Sequence, residues 1–200
     1  GVILAKGNFV IIAARPSIGK TALAIDMAIN LAVTQQRRVG FLSLEMSAGQ
    51  IVERIIANLT GISGEKLQRG DLSKEELFRV EEAGETVRES HFYICSDSQY
   101  KLNLIANQIR LLRKEDRVDV IFIDYLQLIN SSVGENRQNE IADISRTLRG
   151  LASELNIPIV CLSQLSRKVE DRANKVPMLS DLRDSGQIEQ DADVILFINR

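Results

Sequence analysis

Residues 9–21 read Phe9-Val10-Ile11-Ile12-Ala13-Ala14-Arg15-Pro16-Ser17-Ile18-Gly19-Lys20-Thr21. The apolar run Phe9–Ala13 predicts a buried strand. Residues 14–21 then follow the pattern Gly-x-x-x-x-Gly-Lys-Ser/Thr, with Ala14 in the place of the first Gly. That pattern wraps backbone N–H groups around phosphate oxygens, and the helix it opens aims its positive end at the same anion. Gly19 allows close approach of the backbone. Lys20 supplies a point charge for the β- and γ-phosphates, and the Thr21 hydroxyl suits Mg²⁺. Ala14 has a Cβ, so position 14 must avoid conformations that only Gly tolerates, and Pro16 stiffens the loop instead. The bland alternative is an ordinary strand-to-helix turn that contains a Lys. The strand, loop and helix context argues against it. ATP with Mg²⁺ is the expected ligand.

Outward from this loop, short apolar runs alternate with amphipathic segments. The runs are Phe9–Ala13, Val39–Leu44, Phe92–Cys95, Val118–Ile123, Ile157–Leu162 and Val194–Ile198. All but the third are nearly continuous, as strands covered on both faces should be. Helical patterns occupy Thr21–Val33, Ala48–Leu59, Ser73–Glu89, Leu102–Glu115 and Asn139–Leu155. In the last, Ile141, Ile144, Leu148, Leu151 and Leu155 share one face. The alternation predicts an α/β fold, a mostly parallel twisted sheet with helices on both faces. Ile129–Gln138 and Leu165–Leu179 read as long loops after strands, on the edge where such sheets bind ligands.

A phosphate loop needs an acid near the metal and a group that activates water. Asp124 ends an apolar run, and a carboxylate there is costly unless it serves a ligand or metal. It fits the acid that holds Mg²⁺, although a cap or turn Asp is the alternative. Glu45 ends the second run and is expected beside the phosphate-loop strand at the same edge, as a general base. Its alternative is a residue in Ser43–Ser47 that merely starts a helix. Gln164 ends the fifth run, where an amide can bond the γ-phosphate and sense its loss. A surface Gln is an equal reading on spacing alone.

The chain has 200 residues, 44% hydrophobic and 26% charged, which suits one large α/β domain. Aromatics are 4% and Trp is absent, which disfavours stacking as the main way of holding a ligand. The formal net charge of −2 excludes a protein that grips nucleic acid over its whole surface, so any such contact is local. Cys95 and Cys161 lie in apolar runs and read as buried free thiols of a reducing, cytoplasmic compartment. His91 stands alone and reads as structural. No stretch reaches the ~18 apolar residues of a membrane span. Gly1 is not a Met and Arg200 follows an apolar run, so the expectation is one domain over residues 1–200, cut at both ends.

Ala13–Thr21 resembles the phosphate loop of bacterial replicative DNA helicases of the DnaB family. Ser43-Leu44-Glu45-Met46-Ser47, Ile123-Asp124-Tyr125-Leu126-Gln127-Leu128 and Leu162-Ser163-Gln164-Leu165-Ser166-Arg167 are similar to further motifs of that family, in the same order. Residues 181–193, which begin Asp181-Leu182-Arg183-Asp184-Ser185-Gly186, are similar to its last motif. The resemblance implies a RecA-like motor that works as a homohexameric ring, with ATP between neighbouring subunits and single-stranded DNA in the channel. It assigns Ala14–Thr21 to the nucleotide, Thr21 and Asp124 to magnesium, Glu45 to water activation and Gln164 to γ-phosphate sensing. Arg54 matches an arginine near the nucleotide, and Arg183, Asp184 and Gly186 are implied to face the DNA backbone. The family more often has Glu where this sequence has Asp184. A collar domain and linker, which contact primase and the neighbouring subunit, are expected before Gly1, and an arginine finger beyond Arg200. A helicase loader is a further expected partner.

Segment Ser166–Arg183 carries Arg167, Lys168, Arg172, Lys175 and Arg183 against Glu170, Asp171 and Asp181, a local excess of two positive charges. Repeated around a ring it would line a channel, and the alternative is a solvated loop. Two rival functions share the phosphate loop. One is a RecA-like recombinase or clock-type ATPase. The other is a loading module that uses ATP only as an assembly switch, which would need no base at Glu45.

Overall fold

A computed structural model describes residues 4–96, 100–115, 117–132, 136–172, 174–182 and 186–199. Six strands form one sheet: β1 (Phe9–Ala14), β2 (Val39–Ser43), β3 (Phe92–Cys95), β4 (Val120–Asp124), β5 (Ile159–Gln164) and β6 (Val194–Phe197). Their spatial order is β3-β2-β4-β5-β1-β6, and every pairing is parallel. Each expected strand forms within two residues of its apolar run.

Although the central runs are continuously apolar, the pleat still sorts them by face. Phe9, Ile11, Ala13, Ile121, Ile123, Ile159 and Cys161 join one core. That core is closed by α5 (Leu102–Lys114), α6 (Arg137–Leu155) and α7 (Gly186–Asp191). Val10, Ile12, Val120, Phe122, Val160 and Leu162 join the other, closed by α1 (Lys20–Ile29) and α2 (Ala48–Thr60). The helices α3 (Gly64–Arg69) and α4 (Lys74–Glu89) lead from α2 to β3.

The helix starts follow local chemistry. Ser47 with Gln50 caps α2, and Ser73 with Glu76 caps α4, each in a reciprocal capping box. Asn136 caps α6 by accepting from the Asn139 N–H, so the helix begins two residues before the expected start at Asn139. The loop expected to run to Gln138 therefore ends sooner. Regular α1 stops at Ile29 and continues as one wide turn over Asn30–Thr34, where the Gln35 N–H reaches back to the Asn30 carbonyl. The helix α3 buries no residue, so no hydrophobic period announces it. The segment expected as a loop over Leu165–Leu179 contains a 3-10 turn at Arg167–Val169 and returns so that Leu165 bridges Leu182.

Two expectations about the sheet are corrected. β6 was expected to be covered on both faces, yet among the described residues it is an edge strand of half-buried residues, like β3. Glu45 was expected beside the phosphate-loop strand, but β4 and β5 lie between β2 and β1. The connection from β1 through α1 crosses over both of them before it reaches β2. Of the two cysteines, Cys161 is buried and Cys95 is half-buried, and neither forms a disulfide.

Candidate active site

All six strands point the same way, so their C-terminal ends form one edge. Register puts Ala14 opposite Gln164 and Ser43 opposite Asp124 on that edge. The face rule then orients the side chains. Asp124 falls on the face of Val120 and Phe122, and Gln164 on that of Val160 and Leu162, which is the face α1 covers.

Between β1 and α1 the chain turns through two left-handed residues, Ser17 (φ 65°) and Gly19 (φ 109°). A Cβ at Gly19 would meet nothing within 4 Å, so its φ is what calls for glycine there. Ala14 is still strand, which is why its Cβ is tolerated. Gly19 offers no side-chain cap to α1. The first N–H groups of the helix and its positive end are therefore left for a ligand.

A cavity of ≈ 470 Å³ opens on this edge. Its wall includes Arg15, Pro16, Ser17, Gly19, Lys20 and Thr21 from the loop and α1. Glu45, Gln50 and Arg54 line it from β2 and α2, with Tyr125 and Gln164 from the ends of β4 and β5. Ala14 and Ile18 are not on the wall. Ala14 is buried in the strand.

Asp124 is fully buried beneath the loop. The Thr21 hydroxyl donates to its Oδ2 at 2.7 Å, and Lys20 Nζ lies 3.9 Å from Oδ1. Oδ1 has no hydrogen-bond partner. Burial pushes the Asp124 carboxyl upward, against the Thr21 hydrogen bond and the Lys20 charge. Burial likewise lowers the Lys20 ammonium, against the Asp124 and Glu45 carboxylates. Both partners shift toward neutrality, because desolvation of each exceeds an attraction acting across 3.9 Å. A hydroxyl oxygen beside a buried carboxylate oxygen without a partner is a hard oxygen donor set. It fits Mg²⁺, which takes one or two protein oxygens and keeps waters and phosphates for the rest. Among the described residues no cluster of three His, Cys, Asp or Glu offers another metal site.

Glu45 is exposed and belongs to a fixed turn. The Ser43 hydroxyl donates to the Met46 carbonyl at 2.7 Å and accepts from the Met46 N–H at 3.2 Å. The Leu44 N–H donates to the Asp124 carbonyl at 2.8 Å, which ties this turn to β4. Gln164 is held through its backbone. Its N–H donates to Gln127 Oε1 at 3.1 Å, while Gln127 Nε2 donates to Ser163 Oγ and to the Gln164 carbonyl. Arg15 uses its guanidinium on Leu165 and Glu170. Gly186 opens α7 and is not on the cavity wall. Arg183 and Asp184 lie outside the described residues.

Sequence reading missed two participants. The Tyr125 ring lies under Lys20 Nζ, 4.2 Å from its centroid, a cation–π contact that steadies the ammonium. Gln127 fastens the end of β5. Both stand in the Asp124 motif, at positions where residue type alone names no role. Among the described residues no helix is long and apolar enough to cross a membrane.

The profile of the family described as "DnaB-like helicase C terminal domain" matches residues 3–200. A probable plasmid replicative DNA helicase of Chlamydia muridarum (strain MoPn / Nigg) is 89% identical over 200 residues, all of this chain and 44% of that protein. The chain thus spans less than half the length of that relative. A solved DnaB-like replicative helicase, described with its interactions with primase, superposes with a TM-score of 0.92 at 40% identity, over 98% of this chain and 48% of that one. The ATPase domain of the protein G40P gives 0.91 at 40% identity, over 98% of this chain and 70% of that one. The fold is accordingly RecA-like. Taken with the phosphate loop and the acid beneath it, these matches mean that the chain belongs to the family of DnaB-like helicase C-terminal domains.

Proposed function

We propose that this chain is an ATP-hydrolysing motor domain, occupying residues 1–200, of a replicative DNA helicase. The observation that carries the proposal is the gathering of Lys20, Thr21, Glu45 and Gln164 at one strand edge, over the buried Asp124. Family membership and the ATPase domain among the structural relatives support it.

The loop N–H groups and the end of α1 bind the phosphates, and Lys20 neutralises the β- and γ-oxygens. Thr21 and Asp124 would hold Mg²⁺, which supplies charge neutralisation on the phosphates. Glu45 accepts the proton of the attacking water. Gln164 hydrogen-bonds the γ-phosphate and loses that partner on hydrolysis. The Arg54 charge weakly opposes the burial that pushes the Asp124 carboxyl upward, which suits a residue near the nucleotide charge.

In this reading the motor works as a hexamer on single-stranded DNA. A neighbour supplies the arginine finger, and Arg183, Asp184 and Gly186 face the DNA backbone. Primase and a loader bind through other parts of the protein. The name of the 89% identical relative points to a plasmid as the replicon served. The test is Lys20→Ala in the full-length protein. Loss of both ATP turnover and duplex unwinding is expected, and undiminished unwinding would sink the role given to the phosphate loop.

A further inference from the structure

Arg15 stands in the phosphate loop, yet its guanidinium is spent on the chain that leaves β5. One terminal nitrogen donates to the Leu165 carbonyl at 2.8 Å. Nε donates to Glu170 Oε1 at 2.8 Å, and the other terminal nitrogen lies 2.8 Å from the same oxygen. In return, the Leu165 N–H donates to the Ala14 carbonyl at 3.0 Å. The phosphate loop and the segment after β5 are therefore stitched in both directions.

The described residues of that segment are tied to one another. Leu165 bridges Leu182, and the Ser166 N–H donates to the Asp181 carbonyl at 2.9 Å. The buried Asp181 carboxylate pairs with Arg172 and accepts the Met178 N–H at 2.7 Å. These contacts tie the two ends of the segment to each other, so a displacement at Leu165 is passed to Asp181 and Leu182. The segment presents the exposed residues Arg167 and Lys175 to solvent, and phosphate contacts from such residues grip a nucleic-acid strand without reading its sequence.

We propose that Arg15 is a positioning residue rather than a phosphate ligand at rest. It ties nucleotide occupancy of the phosphate loop to the placement of the segment Leu165–Leu182, with Glu170 as its counterpart. The inference rests on the reading above that ATP and single-stranded DNA act on this domain. Its physical basis is competition between anions. A guanidinium beside a phosphate loop is drawn by an arriving phosphate, and Glu170 is the anion it must leave. The side chain of Glu170 is 56% exposed, so the pair adds little to fold stability. Its removal tests coupling without unfolding the chain.

The coupling is measured in the full-length protein as a ratio. It is the Kd for a labelled oligothymidylate without nucleotide, divided by the Kd with a non-hydrolysable ATP analogue. The wild-type ratio should depart from one by about fivefold or more. Glu170→Gln should bring it close to one, while DNA-free ATP turnover stays within about twofold and the melting temperature does not move. Glu170→Asp, which keeps the charge, should restore much of the ratio. A merely structural role for the pair would change DNA affinity equally in both nucleotide states and leave the ratio intact. A Glu170→Gln protein with the wild-type ratio overturns the proposal and leaves the helicase reading standing. A wild-type ratio of one overturns both.

Discussion

Replacing Asp124 by Asn should make the nucleotide-free domain more stable while it destroys the proposed metal site. The carboxylate is fully buried, and only one of its oxygens has a hydrogen-bond partner. Lys20 stands 3.9 Å from the other oxygen. At that separation the attraction is about 4 kcal/mol for an effective dielectric constant near 20, while taking each ion out of water costs several kcal/mol. The upward shift of the Asp124 carboxyl says which side wins, because folding favours its neutral form. An acid with a raised folded-state pKa adds stability only at low pH, and that contribution is lost as pH rises through the folded value. Asn carries the neutral form at every pH and keeps an acceptor for the Thr21 hydroxyl. Its amide still lacks a second partner, and Lys20 loses its neighbour, so the net gain is modest, about 1 kcal/mol. That corresponds to a rise in melting temperature of about 2–4 °C for a domain of this size. The assay is thermal unfolding at neutral pH, with and without Mg²⁺ and an ATP analogue. The wild type should gain stability from the added ligands and Asp124→Asn should gain less, which would reverse or close the gap. A variant that melts below the wild type without ligands would refute the claim that burial outweighs the Lys20 contact.

Glu45→Gln keeps the size of the side chain and removes the base. ATP turnover in the full-length protein should fall by about 100-fold or more while nucleotide affinity is held, and an unchanged turnover would favour an ATP-switched module instead. Gly40→Ala puts a Cβ 2.6 Å from Ile121 Cδ1 and 3.0 Å from Val118 Cγ1, both of them buried. Urea unfolding should show a loss of about 1–3 kcal/mol, and a variant as stable as wild type would mean that this strand has slack. The Arg38 side chain and N–H bond hold the Asp119 carboxyl down to about 2, from an ordinary 3.8. The resulting stability is present above the ordinary value and is lost as pH falls toward the lowered one. Asp119→Asn should cost about 1 kcal/mol at neutral pH, after allowance for solvent screening, and progressively less as pH falls toward about 2. Parallel pH profiles for the two proteins would contradict it.

Most of the fold was legible because each central strand is a run of apolar residues too short for a helix and bounded by polar ones. The helices with apolar stripes were legible for the same reason. α3 was not, since it buries nothing and is set by the Ser63 cap and the left-handed Gly70. α7 was not, since a helix of six residues that opens on Gly carries too little pattern. In the candidate site, Lys20 and Thr21 stood out through the phosphate-loop spacing, and Asp124, Glu45 and Gln164 because a carboxylate or amide at the end of an apolar run is chemically out of place; the fold brings all five to one strand edge. Tyr125 and Gln127 act through a ring face and a bridging amide, and only coordinates reveal which neighbours those reach. Arg15 was expected among the nucleotide ligands from its place in the loop. Its partners, Leu165 and Glu170, are some 150 residues away in sequence, a pairing that no local pattern encodes.

The position of Glu45 illustrates how topology corrects a sound chemical guess. A strand tip adjacent to the phosphate loop would be an obvious place for a base, and β2 is not adjacent. What brings Glu45 to the cavity is α1. It leaves β1 and crosses β5 and β4, which carries Lys20 and Thr21 to the end of β4, and the next strand over is β2. Asp124, the proposed metal acid, therefore stands under the start of the helix, and Glu45, the proposed base, stands one strand further on. A water activated by Glu45 would approach the phosphates from the side away from β1. A base on β5 would instead sit where Gln164 meets the same phosphates. The strand order thus separates the proposed proton acceptor from the proposed sensor, with Asp124 between them, so substitutions at the tips of β2 and β5 should alter the two proposed roles independently.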